Sequence, residues 1–364
     1  MGQFEAGNGR DNAAASPRRT FRFTKLHLNR YRCFAALDLA LESDLTVLFT
    51  AHGGDNTAVV TALAIGLTPF QAGTPRGLKL DRQRDVHPGT SAGPCTLAWT
   101  AAVGAQADVR WASTVHPASR RTSTDHRPVL AAIEQMRVPG ARWPLFAFYG
   151  VDRMGRGTAS TIPIASRPDR WEGYQNSLNA AQDDSALLTW LLEEFLADVV
   201  RRQVGEAPRF LAETVMNTIA KATPEVLHIW YDPRERSPVV RFVTGAVVPW
   251  RALSDGVHAH LALLADIARR ALELNEPDGR HAPALVDGVV LIDAIDLHLS
   301  PHRQWMVLDG LKNAFPRLQF IVTTCSPQVL RSAETRHVRH LVGGTLQAHG
   351  RRVPIRHAPS GAAP

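Results

Sequence analysis

The sequence predicts an α/β fold built on a parallel sheet. Three observations carry that prediction. Two solidly apolar runs, GVVLI at 288–292 and LQFIV at 318–322, bracket an amphipathic helical pattern, RQWMVLDGLKNAF. A third apolar run, LTVLF at 45–49, leads through a glycine-containing turn into TAVVTALAIGL, which reads as a buried helix. Continuous apolar strands separated by helices are the pattern of a sheet covered on both faces.

The elements follow in order. Residues 1–19 are small, polar and rich in Gly and Ala, and are expected to form a disordered tail. FRFTKLHLNRYRCF and LDLALE alternate apolar and polar residues, as antiparallel strands do. Residues 68–95 carry Gly, Pro and charge and read as loop, CTLAWTAAVGA and ADVRWAST as a β-hairpin, 117–128 as a further loop, and WPLFAFYG as a buried strand. Residues 151–182 read as irregular. SALLTWLLEEFLADVVRRQV and RFLAETVMNTIAKA have apolar residues at helical spacing, with Trp190, Leu191, Leu192 and Phe195 as core. Two strands, VLHIWYD and VVRFVTG, precede a long helix, HAHLALLADIARRALEL.

The chain has 364 residues, 45% hydrophobic and 21% charged, which is enough for one large globular unit or two modest ones. No apolar run reaches membrane-spanning length and the first residues carry no apolar signal core, so a cytoplasmic protein with no membrane partner is expected. Cys33, Cys95 and Cys325 stand singly, which offers no zinc spacing. Net charge is +7, which favours an acidic partner such as DNA or RNA, but the excess is spread along the chain and fits an Arg-rich solvated surface equally well.

Six motifs occur in order: LHLNRYRCFAAL at 26–37, AFYGVDR at 147–153, GYQNSL at 173–178, LSDG at 253–256, LIDAIDLHLSP at 291–301 and FIVTTCSPQ at 320–328. The ordered set resembles the ABC-type ATPases of the branch that includes the SMC and RecF-like proteins. It is most similar to short bacterial AAA/ABC-type ATPases related to those of the Septu and retron anti-phage systems, which work with an HNH nuclease. The resemblance covers residues from about 20 to 345. It implies a P-loop NTPase-like ABC ATPase head, with a mixed β-subdomain, a central parallel sheet flanked by helices, and a short helical insert. The head divides into 20–154, bearing the phosphate loop, an insert at 155–225, and 226–345, bearing the signature and the acidic strand. Residues 346–364 read as a flexible tail.

Against that pattern the loop is degenerate. A working loop reads G-x-N-G-x-G-K-[ST], its glycines letting backbone N–H groups approach phosphate and its Lys reaching the β- and γ-phosphates. The chain has Thr50, Ala51, His52, Gly53, Gly54, Asp55, Asn56 and Thr57. Of the motif only Gly53 and the magnesium-ligating hydroxyl of Thr57 remain, and Gly54 beside them is a further cofactor-binding candidate. Asp55 is expected to place a carboxylate where polyphosphate would sit, a repulsion of several kcal/mol at about 4 Å. Asn56 removes the cation, and neither Lys79 nor Arg76 is well placed to replace it. Asp293 could still position magnesium, but Ala294 stands where the resemblance requires the catalytic Glu, and Cys325 where it requires the switch His. A methyl group cannot act as general base, and Asp296 is a poor substitute because the base belongs beside Asp293. The catalytic positions Asn56, Ala294 and Cys325 are therefore vestigial, and Mg-ATP is expected to bind weakly or not at all.

The signature Leu253-Ser254-Asp255-Gly256 is intact. The resemblance implies that Ser254 and Gly256 contact a γ-phosphate held by a second subunit of a homodimer or heterodimer. A plainer reading makes Ser254 or Asp255 an N-cap of the long helix. Asp152 and Arg153 read either as approaching nucleotide or dimer surface, or as a structural ion pair. His298, His302 and Asp296 are weighed as metal ligands, with lining of the loop favoured, and His258 and His260 lack metal-pair spacing. Ser254 has no evident His and Asp partners for a hydrolase triad. The expected function is a pseudo-ATPase scaffold or regulator in an anti-phage or DNA-maintenance complex with a nuclease. The alternatives are an ATPase with slow or partner-assisted turnover, and a basic nucleic-acid binder.

Overall fold

The computed structural model describes residues 20–50, 55–70, 78–88, 93–116, 121–136, 140–157 and 170–347. The tails, Gly53, Gly54, His52 and Arg76 lie outside them.

From the N-terminus, Phe21–Tyr31 (β1) and Phe34–Ala40 (β2) form a hairpin, followed by Leu45–Phe49 (β3) and the helix Asp55–Gly66 (α1). After the short helix Arg82–Asp85 (α2) come Cys95–Val103 (β4), Gln106–His116 (β5), Arg121–Asp125 (β6), the helix Arg127–Met136 (α3) and Leu145–Tyr149 (β7). Ser185–Gln203 (α4) and Leu211–Ala222 (α5) precede Val226–Asp232 (β8), Ser237–Phe242 (β9) and Val247–Pro249 (β10). The long helix Asp255–Leu274 (α6) and short Ala282–Leu285 (α7) lead to Gly288–Ile292 (β11), Pro301–Ala314 (α8), Leu318–Thr324 (β12) and Pro327–Ser332 (α9). Val338–Val342 (β13) and Thr345–Leu346 (β14) end the described chain.

Three sheets result. The central one has the order β14-β13-β3-β12-β11-β7, with β13, β3, β12, β11 and β7 mutually parallel and β14 antiparallel at the edge. Its inner strands are apolar at nearly every position because both faces are covered. An antiparallel sheet, β2-β1-β4-β5-β6, lies on the other side of α1. Its strands alternate, and their inward residues Phe21, Phe23, Leu26, Leu28, Trp99 and Trp111 are at most 3% exposed. The third sheet is the antiparallel trio β10-β9-β8.

α1 is apolar all round because it is sandwiched between the first two sheets. The indole N–H of Trp99 donates to the Ala62 carbonyl at 3.0 Å, and that of Trp111 to the Gly66 carbonyl at 3.1 Å. A Cβ at Gly66 would stand 2.6 Å from the Trp99 ring, so only glycine lets the helix lie this close. Within the stretch read as an insert, α5 packs against α6, α8 and β8. Asp198 of α4 accepts from the backbone N–H of Arg209 and Phe210 at 2.7 and 2.8 Å, which fixes the turn between α4 and α5.

Two expectations of loop are corrected. Within 117–128, residues 121–125 form an edge strand and the last two residues open the helix 127–136. The edge strand is exposed throughout and polar, RTSTD, so it lacks the apolar alternation that marks a strand in sequence. Within 68–95 the chain forms a 3-10 turn at Thr68–Phe70 and α2, which is capped by the Asp81 side chain.

Candidate functional site

The parallel strands all deliver their C-terminal ends to one edge, where the segments after β7 and β11 meet the end of β12 and the start of α1. This is where open α/β sheets place their sites. Asp293 follows β11 and is 3% exposed. One of its carboxylate oxygens accepts from Thr57 Oγ1 at 2.7 Å and the other from Thr323 Oγ1 at 2.6 Å. The structure thus joins the two expected magnesium ligands, 236 residues apart in sequence. A hydroxyl beside a buried carboxylate suits a hard divalent cation.

Asn56 is 4% exposed, and its side chain turns into the sheet edge. Its Nδ2 donates to the carbonyls of Leu48 and Thr324 at 3.2 and 3.5 Å. Its Oδ1 is buried without a hydrogen-bond partner among the described residues.

Asp55 corrects an expectation. It opens α1, and its carboxylate is engaged by a turn distant in sequence. Oδ2 accepts from the N–H of Gly344 at 3.0 Å, and the carboxylate lies near enough to Cys33 to push that thiol's pKa up. The position that looked hostile to phosphate is occupied by a side chain that faces elsewhere.

Ala294 has φ of +48°, in the left-handed region, which costs a non-glycine residue about 1 kcal/mol or more. Its geometry is held from both sides. Its N–H donates to Thr323 Oγ1 at 2.7 Å, and its carbonyl accepts from Arg153 Nη2 at 2.8 Å. Arg153 Nη1 also donates to the carbonyls of Asp293 at 2.6 Å and Gly150 at 2.9 Å. Burial pulls this guanidinium down to about 10, against the upward pull of Asp293 and Asp296. Among the described residues Arg153 forms no ion pair with Asp152, and that reading is replaced by a cap on backbone carbonyls. Asp296 accepts from Thr324 Oγ1 at 2.5 Å. Cys325 is exposed, and burial of its thiol, then Asp296 and Asp293, push its pKa up. Among the described residues no cluster of His, Cys, Asp and Glu could hold a metal, so His298, His302 and Asp296 do not gather one.

The signature lies at the start of α6. Ser254 occupies the N-cap position and is exposed, but its side chain makes no cap hydrogen bond, which corrects the capping expectation. Asp255 does not cap either. It pairs with Arg156 at 3.2 Å, whose guanidinium also donates to the carbonyls of Arg251 at 3.1 Å and Leu253. The arginine gathers the signature turn from outside and takes the carboxylate with it. Gly256 is required by close packing, since a Cβ there would stand 1.9 Å from the His298 carbonyl oxygen.

Sequence reading missed one contact set. Asp184, 1% exposed before α4, accepts from the N–H of Gly157 at 2.6 Å, Trp250 Nε1 at 2.9 Å and His258 Nε2 at 2.8 Å. It ties the signature helix to the start of α4. Nothing in local spacing links positions 184 and 258.

The residues present fit a magnesium ion at Thr57 and Asp293. Position 56 carries Asn and position 294 Ala, so neither adds a cation or a carboxylate beside that pair.

Comparison with known proteins agrees with this frame. The chain is 46% identical over 92 residues to the Retron Ec83 probable ATPase of Escherichia coli, a stretch that covers 25% of this chain and 17% of that protein. It is 43% identical over 79 residues to the Septu protein PtuA of Bacillus mycoides, covering 22% of this chain and 10% of that protein. The chain thus matches about a sixth or less of these relatives' length. No family model matches. Among solved structures, an SMC head bound to the C-winged helix domain of ScpA aligns at a TM-score of 0.51 and 16% identity, over 89% of this chain and 96% of that one. The fold is that of an SMC-type ATPase head.

Proposed function

We propose that this chain is a degenerate ATPase head that works by association rather than turnover, as a scaffold or regulatory subunit of an anti-phage assembly with a nuclease partner. The observation that carries the reading is the orientation of Asn56. Its amide is spent on the carbonyls of Leu48 and Thr324, so the position that would present a cation to the β- and γ-phosphates presents none. Ala294 adds the loss of the base. The likeness to retron and Septu ATPases supports the setting, and the exposed Ser254 leaves the signature free to face a second subunit.

A second reading has its own support. Thr57 and Asp293 are in contact, and Asp55 is turned away, so Mg-ATP could bind through backbone groups and be hydrolysed slowly or with a partner's residues. Calorimetric titration with Mg-ATP at low salt and millimolar ligand separates the two. The first reading expects neither heat nor thermal stabilisation. Clear binding followed by measurable phosphate release from the purified chain overturns it.

A further inference from the structure

We infer that Asp55 is an internal clasp that anchors the start of α1 to two surface turns, so that the helix behind the phosphate loop is held without a phosphate. The clasp joins three distant segments. Cys33 lies in the turn between β1 and β2, Asp55 opens α1, and Gly344 lies in the turn between β13 and β14. The Gly344 N–H donates to Asp55 Oδ2 at 3.0 Å, across 289 residues of sequence. The Cys33 thiol lies near the same carboxylate, whose charge raises its pKa.

The two turns also touch each other. Gly344 has φ of +74°, and a Cβ there would stand 2.6 Å from the carbonyl oxygen of Cys33. Glycine is needed both for its conformation and for that approach. The carboxylate supplies what a phosphate supplies in a working loop: a negative charge in the first turn of the helix, favoured by the helix dipole. It differs in facing outward, to the edge of the sheet, and in being covalently part of the chain. The order of α1 is thereby uncoupled from ligand occupancy.

This goes beyond the loss of turnover, and it holds whether or not nucleotide binds. Mg-ATP calorimetry tests the one and the following experiment the other.

The thiol reports on the clasp. Burial, then the neighbouring Asp55 carboxylate, push Cys33 up to about 12. The test uses the full chain with Cys325→Ser, which leaves Cys33 as the exposed thiol because Cys95 is buried. Iodoacetamide alkylation is followed at pH 9, with amide hydrogen exchange at Gly344 measured in parallel. Cys33 is expected to react on the order of a hundredfold more slowly than free cysteine, since the thiolate is the reacting species. Asp55→Asn removes the charge while keeping the size. It is expected to speed alkylation several-fold and Gly344 exchange about tenfold or more, with the far-ultraviolet spectrum unchanged. Unchanged rates in Asp55→Asn overturn the clasp. If that variant does not fold, the parent alone decides: an unprotected Gly344 amide, or Cys33 alkylated as fast as free cysteine, overturns it.

Discussion

Arg153 Nη2 donates to the carbonyl oxygen of Ala294 at 2.8 Å. That one bond connects the loop after β7 to the residue that replaces the catalytic carboxylate. A guanidinium placed where nucleotide chemistry would be expected serves instead to satisfy backbone carbonyls in a left-handed turn.

Arg153→Ala would strand the carbonyl of Asp293, whereas those of Gly150 and Ala294 would keep the backbone N–H groups of Arg153 and Leu297. A buried unsatisfied carbonyl costs about 1–3 kcal/mol, so a loss of about that size is expected from urea unfolding. Arg153→Lys should recover less than half, because a single ammonium cannot span carbonyls reached by a planar fork. A loss below about 0.5 kcal/mol for the alanine variant contradicts this account of the turn.

Gly256→Ala should destabilise by about 1–3 kcal/mol, since the new methyl must displace either α6 or the loop at His298. Thermal unfolding measures it. Ser254→Ala is the matched control: its side chain forms no cap, so the same measurement should move by less than about 0.5 kcal/mol.

Asp266 carries the pH prediction. Burial would raise its carboxyl, but Arg270 and Arg269 outweigh burial and hold it well below the usual range. A group depressed in the folded state contributes stability that is complete above its unfolded value, about 4, and is lost as pH falls below that toward the folded value. Urea unfolding of the parent should therefore weaken with acid below about pH 4, and Asp266→Asn should lower stability at pH 7 while flattening that acid slope. An unchanged slope in the variant would assign the acid sensitivity to other carboxylates.

Thr57→Val tests the magnesium pair. It removes the hydroxyl that touches Asp293 and keeps the shape. If Mg-ATP raises the melting temperature of the parent at all, the variant should abolish the rise. Restoring Asn56→Lys, Asp55→Gly and Ala294→Glu together should produce measurable phosphate release if the scaffold is otherwise competent. The Ala294 backbone, at φ of +48°, will tolerate Glu at a strain of about 1 kcal/mol.

Much of this architecture was legible in the residues. The apolar runs at 45–49, 288–292 and 318–324 became β3, β11 and β12, because a strand buried on both faces must be apolar along its length. The ordered motifs identified the head, and the side chains at positions 56, 294 and 325 marked where the chain departs from the pattern it resembles. Strand β6 was not legible, because an exposed edge carries no apolar period.

By itself, then, the sequence determined the order of the strands' apolar cores and the inventory of functional groups, since both depend on residue type and local spacing. Only the tertiary structure decided where those groups point. Asp55 turns to Gly344 and Asp184 reaches His258, while Arg153 caps Ala294, over separations of 289, 74 and 141 residues. Side-chain direction at such positions is set by partners that folding brings together, and periodicity along the chain holds no record of them.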